Sequence, residues 1–240
     1  MPPTKRAARV AGLLYLLVVL TGPFVLMYVP GKLFVSGNAA ATAGNIVAHQ
    51  TLSRAHIVVG LASELLFIAV VLALYRLLAG VGRELAAVMV ILVLVDAPLA
   101  FAGIANEVAT LALLRGGETL AAFDAPQRAA LATLLVTAGQ HGQIVSEVFW
   151  GLWLLPLGIL VWRSGFLPRF IGAWLLVNGL AYVALSAIEL YLPQRIDAAF
   201  TAATPLLLGE VALTFWLLIA GVRVLPRGPA APHETASPRT

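Results

Sequence analysis

Apolar residues fall along the chain in six long blocks, 10–29, 56–78, 85–114, 143–162, 170–190 and 205–222, separated by stretches that gather most of the charged residues. Each block is close to the roughly 20 residues an α-helix needs to cross a hydrocarbon core ~30 Å thick. A transmembrane strand would alternate apolar and polar positions over about 10 residues, and none of the blocks does. The pattern predicts an all-α fold: a polytopic transmembrane bundle of six helices with short surface helices at one end. The connections at 76–84 and 163–169 are short, so the second and third helices, and the fourth and fifth, should pair as antiparallel hairpins. The longer connections lie at the other end. In "SGNAAATAGNIVAHQTLS", from Ser36, either Ser36 or Asn38 can cap a short surface helix. Asp124 ahead of Pro126 marks another helix start, and Gly139 and Gly142 then predict an interruption of that helix, a bend where the chain enters the membrane. Pro98 and Pro156 each remove a backbone hydrogen bond inside a span, so both helices should kink.

Composition agrees with this pattern. Of 240 residues 61% are hydrophobic and 11% charged, against about 25% charged in soluble domains, which excludes an ordinary soluble fold. The spans make one domain, 1–225, and the Pro- and Ala-rich stretch 226–240 reads as a disordered tail. The first block follows Lys5, Arg6 and Arg9 as a signal peptide would, but it exceeds the about 7 to 15 apolar residues of such a segment and reads as an uncleaved helix.

Basic residues orient the bundle. With the N-terminus inside, Lys5, Arg6, Arg9, Arg76, Arg83, Arg163, Arg169, Arg223, Arg227 and Arg239 are cytoplasmic, while Lys32, Arg54, Arg115, Arg128 and Arg195 are not. The bias predicts that both termini are cytoplasmic. The net charge of +4 is spread over helix ends, so no nucleic-acid partner is expected. Cysteine is absent, which excludes disulfides, thiolate metal sites and covalent haem. No P-loop, dinucleotide fingerprint or H-E-x-x-H motif occurs, so no cofactor and no metal site is predicted.

The chemistry lies in embedded acids. Of eleven Asp and Glu residues, Glu64, Asp96, Glu107, Glu147, Glu189 and Glu210 fall inside the apolar blocks, and no Lys or Arg sits at their depth. A carboxylate at the centre of a lipid-facing helix costs roughly 2.5 to 3.5 kcal/mol, so these acids should face the interior, be protonated, hold a cation or reach water. At about 1.5 Å per residue from the nearest cytoplasmic arginine, Glu64, Asp96 and Glu210 lie roughly 18 to 20 Å up and Glu147 ~24 Å up. Helical phase puts Asp96 and Glu107 on one face, and aligns Gln140, Gln143 and Glu147 in a stripe beside His141. "EVFWGLWLLPLG" from Glu147 and "EVALTFWLLIAG" from Glu210 share Glu-Val, Trp-Leu-Leu and a final Gly, and "SELLF" at Ser63 is a shorter echo.

Several stretches resemble one family. "RVAGLLYLLVVLTGPF" at Arg9, "SGNAAATAGNIVAHQTLSRAHIV" at Ser36, "VFWGLWLLPLGILVWRSGFLPRFIGAWLLVNGLAYV" at Val148 and "PLLLGEVALTFWLLIAGVR" at Pro205 are similar to the domain of unknown function 4386 family, with "WRSGFLPR" the most specific part. The resemblance implies a bacterial multi-pass protein of the inner (cytoplasmic) membrane. It carries no activity and no catalytic residues.

The candidate substrate- or ion-binding residues are therefore Glu64, Asp96, Glu107, Gln140, His141, Gln143, Glu147 and Glu210, expected to line one outward-facing cavity. The expected partners are the lipid bilayer and a small molecule or cation. The leading reading is a binding protein or transporter linked to a small molecule, cation or proton. Two others stand beside it. One is a non-catalytic membrane partner whose acids are structural, as helix-dipole or interhelical contacts would make them; the other is an intramembrane enzyme in which His141 and Glu carboxylates hold a metal.

Overall fold

The computed structural model describes residues 4–35 and 38–222, and among them the chain is helical with no strand. Six helical segments are long and apolar enough to cross a membrane. The protein is a multi-pass membrane protein whose outward apolar side chains, such as Leu20, Val58, Ile91, Leu180 and Ile219, meet lipid. Ser36 and the tail 226–240 lie outside the described residues.

The first span, Lys5–Leu33, is α1 (Lys5–Pro23), a π turn (Phe24–Tyr28) and α2 (Val29–Leu33). The π turn has a local cause. The Val29 N–H bonds back to the Phe24 carbonyl, and Pro30 has no N–H, so the Val25 carbonyl is left without its helical partner. The surface helix α3 (Ala39–Ala48) starts at Asn38, whose side chain accepts the Ala41 N–H at 2.9 Å.

Next come α4 (Gln50–Leu78), α5 (Arg83–Arg115), α6 (Ala125–Arg163) and α7 (Arg169–Tyr191). The predicted hairpins form: α4 packs on α5 and α6 on α7, while α5 also packs along α6 and α1 lies against α4 and the last helix. In the α6–α7 turn the Ser164 hydroxyl donates to the Val161 carbonyl and accepts the Leu167 N–H, and Gly165 takes φ 69°. Phe166 and Leu167 are buried behind it, which accounts for the "WRSGFLPR" stretch.

One expectation needs correction. Helix α6 is not interrupted at Gly139 and Gly142 but runs unbroken over 39 residues from a capping box between Asp124 and Gln127. A helical glycine costs about 1 kcal/mol against alanine, too little to interrupt so long a packed helix. Pro98 and Pro156 sit inside α5 and α6, which continue past them.

The sixth span starts well before Pro205. It is α8 (Ile196–Leu207) and α9 (Gly209–Ile219), broken at Leu208. Side chains of α7 hold the break: the Trp174 indole N–H donates to the Pro205 and Leu206 carbonyls, and the Asn178 amide donates to the Leu207 carbonyl at 3.1 Å.

The main core gathers around Trp153, Tyr15, Leu74, Leu78, Met89 and Leu217, towards the end with the short turns. The embedded acids lie between this core and the end that carries α3 and the longer connections.

Candidate functional site

The structure divides the embedded acids among four places. The most open is a cavity of ≈ 260 Å³ between α6, α7 and α8. Glu147 reaches it from α6, Tyr182 and Glu189 from α7, and Asp197, Phe200 and Thr201 from α8. The α7 and α8 spacings, 182 to 189 and 197 to 201, each bring side chains to one helical face. Three carboxyl groups thus share one small space, and no Lys or Arg lines it. The charges of Glu147 and Glu189 act on one another, and His141 is within electrostatic reach of Glu189. Close α6–α7 contact makes this possible: Gly151, Gly158, Gly172 and Gly179 let the two backbones approach to where a Cβ would collide with the opposing carbonyl.

The second place is more closed, although Glu64 is half-buried. Asp96 on α5 is 2% exposed and accepts the Trp150 indole N–H at 3.1 Å through Oδ2. The Ser146 hydroxyl lies beside it, and Glu64 on α4 feels its charge. Oδ1 of Asp96 and Oε1 of Glu64 are both closed to solvent and have no hydrogen-bond partner. Trp150 also packs edge-on against Tyr182, with ring centroids 6.1 Å apart, so one indole touches both Asp96 and the cavity wall.

The remaining two places are interhelical contacts. His56 on α4 lies 2.8 Å through Nδ1 from a Glu107 carboxyl oxygen on α5, and 2.9 Å through Nε2 from the Val25 carbonyl stranded by the π turn. Both ring nitrogens face acceptors. One proton therefore sits on Nε2 and another lies between Nδ1 and Glu107, which ties α1, α4 and α5 together. Glu210, at the start of α9, accepts the hydroxyl of the fully buried Tyr15 from α1.

Gln140, His141 and Gln143 are exposed on α6 and are not among the cavity's lining residues. The expected single cavity is thus a cavity with Glu147, a separate pair of Glu64 and Asp96, and two struts at Glu107 and Glu210. Asp197, Phe200 and Thr201 were missed because the sixth span was started at Pro205. Their i, i+3, i+4 spacing was the available signal. Among the described residues no three His, Asp or Glu side chains are grouped to hold a metal ion, so the metal reading of His141 finds no ligand set.

In comparison with known proteins, the family described as Domain of unknown function (DUF4386) matches residues 10–221. No curated protein and no solved structure matches the chain.

Proposed function

This chain belongs to the DUF4386 family of domains of unknown function, and from that premise we propose that it binds small cationic solutes in the Glu147–Glu189–Asp197 cavity, as a transporter or binding protein of the membrane. One observation carries the reading: three carboxyl groups converge on a ≈ 260 Å³ space that no basic side chain lines. Acids that merely capped helices or tied them together would be met by donors. A cation supplies the missing charge, and the Tyr182 and Phe200 rings offer faces suited to an ammonium group. The volume suits a solute smaller than a drug-sized ligand.

The basic-residue bias supports an orientation with this end of the bundle outside and both termini in the cytoplasm, in which the cavity would take its solute from the outer side of a bacterial inner membrane. The interruption at Leu208 gives α8, which carries four lining residues, a joint at its inner end. Broken helices beside a mid-membrane site recur in transport folds.

The test is calorimetric titration of the nanodisc-embedded protein with choline, putrescine, spermidine and sodium, followed by uptake into proteoliposomes. Saturable binding by at least one, lost in Glu147→Gln and Glu189→Gln, is the expected result. Heats indistinguishable from dilution for all four, together with no uptake, would remove the reading.

A second reading, a non-catalytic partner or scaffold with structural acids, is favoured by the Tyr15–Glu210 and His56–Glu107 contacts. It accounts for those two acids and leaves the cavity unexplained.

A further inference from the structure

We infer that Glu64 and Asp96 form a second site, separate from the cavity, that holds one proton, carried by Glu64. The geometry gives each carboxyl one oxygen, Oε1 of Glu64 and Oδ1 of Asp96, that is shut away from water and meets no donor. Asp96 itself is 2% exposed. Native interiors rarely leave a buried polar atom without a partner, and such an atom calls for an explanation by strain, function or a missing ligand.

The surroundings say which ligand. From α1, the Thr21 hydroxyl donates to the Val18 carbonyl at 2.9 Å and meets the Ser63 hydroxyl at 2.8 Å. From α6, Ser146 and Trp150 stand beside Asp96. The charged group that acts on Glu64 is Asp96. No Lys, Arg or His is in this set. Two neighbouring carboxylates without a counter-ion cannot both stay ionised in a medium of low dielectric. A metal ion needs several oxygen or nitrogen ligands, and among the described residues no third acidic or histidine side chain joins the two. A proton needs only one oxygen.

Its position follows from the donors. The Trp150 N–H stabilises negative charge on Asp96, whereas Oε1 of Glu64 receives nothing. Taking up a proton forms an O–H bond on Glu64 and leaves the pair with a single negative charge, on Asp96. Loss of that proton puts a second negative charge beside the oxygen that Trp150 grips, and the indole is packed on Tyr182 of the cavity wall. The last link, from proton to solute, rests on the proposed function; the proton site does not.

Infrared spectra of the full-length protein in nanodiscs at neutral pH test the site directly. A carbonyl band of a buried carboxylic acid is expected in the native protein, lost in Glu64→Gln and retained in Glu147→Gln. Absence of the band in the native protein, or its survival in Glu64→Gln, overturns the assignment. Should Glu64→Gln fail to fold, labelling of the native protein with an apolar carbodiimide, read by mass spectrometry, decides instead. An adduct on Glu64 supports the proton there, and an unlabelled Glu64 beside another labelled embedded acid refutes it. Neither measurement uses a solute, so either can succeed while the cavity proposal fails.

Discussion

The Gly179 carbonyl oxygen lies 2.5 Å from the point a Cβ would occupy on Gly151, and the Gly151 carbonyl oxygen lies 2.6 Å from the same point on Gly179. No side chain fits there. The contact draws α6 and α7 together just below Glu147, Tyr182 and Glu189, so it also sets the width of the cavity. Gly151→Ala and Gly179→Ala should each cost about 1 to 3 kcal/mol, the range for overpacking an interface. Gly142→Ala meets nothing within 4 Å and should leave stability unchanged or raised by up to about 1 kcal/mol. Thermal unfolding in nanodiscs checks all three. Equal melting temperatures for Gly151→Ala and Gly142→Ala would mean that the backbones are not this close.

The acids should separate by role. Glu147 and Glu189 face a cavity, and functional side chains are commonly held at a cost in stability. Glu147→Gln and Glu189→Gln are therefore expected to melt at or above the native temperature while losing cation binding. Tyr15→Phe removes the donor to Glu210 and should destabilise by about 1 to 3 kcal/mol, the cost of leaving a buried acceptor unmet. If Glu147→Gln loses as much stability as Tyr15→Phe, Glu147 is a strut and the cavity is incidental.

His56 holds the top of the first span. Its Nε2 is the partner found for the carbonyl that the π turn and Pro30 leave open, and its Nδ1 faces Glu107. His56→Leu keeps the side chain's bulk and strips both contacts, at an expected cost of about 1 to 3 kcal/mol. The loss should be local. Amide hydrogen exchange across residues 26–35 is predicted to accelerate in the variant while residues 5–20 keep their protection; an unchanged pattern would show that the π turn holds without His56.

The six spans were legible because bilayer thickness fixes helix length, and the lengths of apolar blocks survive without knowledge of packing. The acids were legible too, since a carboxyl inside such a block is conspicuous. Their grouping was not. Depth measured from an arginine gives height along a helix but does not say which neighbour faces it, and Glu64, Glu147 and Glu210, alike in depth and local sequence, meet Asp96, Glu189 and Tyr15 respectively. Gly139 and Gly142 misled because a glycine weakens a helix by less than packing and hydrogen bonding sustain it. The α8–α9 break was hidden because its cause lies in α7: the donors of Trp174 and Asn178 make three carbonyls content outside a helix, and no local signal at "PLLLGE" records that.

The same donors give the last prediction. At Leu208 the chain has a choice between extending one helix and keeping the break, and Asn178 favours the break through its amide to the Leu207 carbonyl. Gly209 packs against the Trp174 backbone, 3.3 Å from where a Cβ would lie, so α9 is pinned there while α8 rests on α7. Asn178→Leu is close in size and cannot donate. It should free the last turn of α8, raise hydrogen exchange across 196–207 with 210–219 unchanged, and weaken cation binding several-fold, because Asp197, Phe200 and Thr201 all ride on α8. Faster exchange with unaltered affinity would separate the joint from the cavity and leave the break a packing feature alone. If affinity falls and exchange does not, Asn178 acts through the shape of α7, by way of Tyr182 one turn further along.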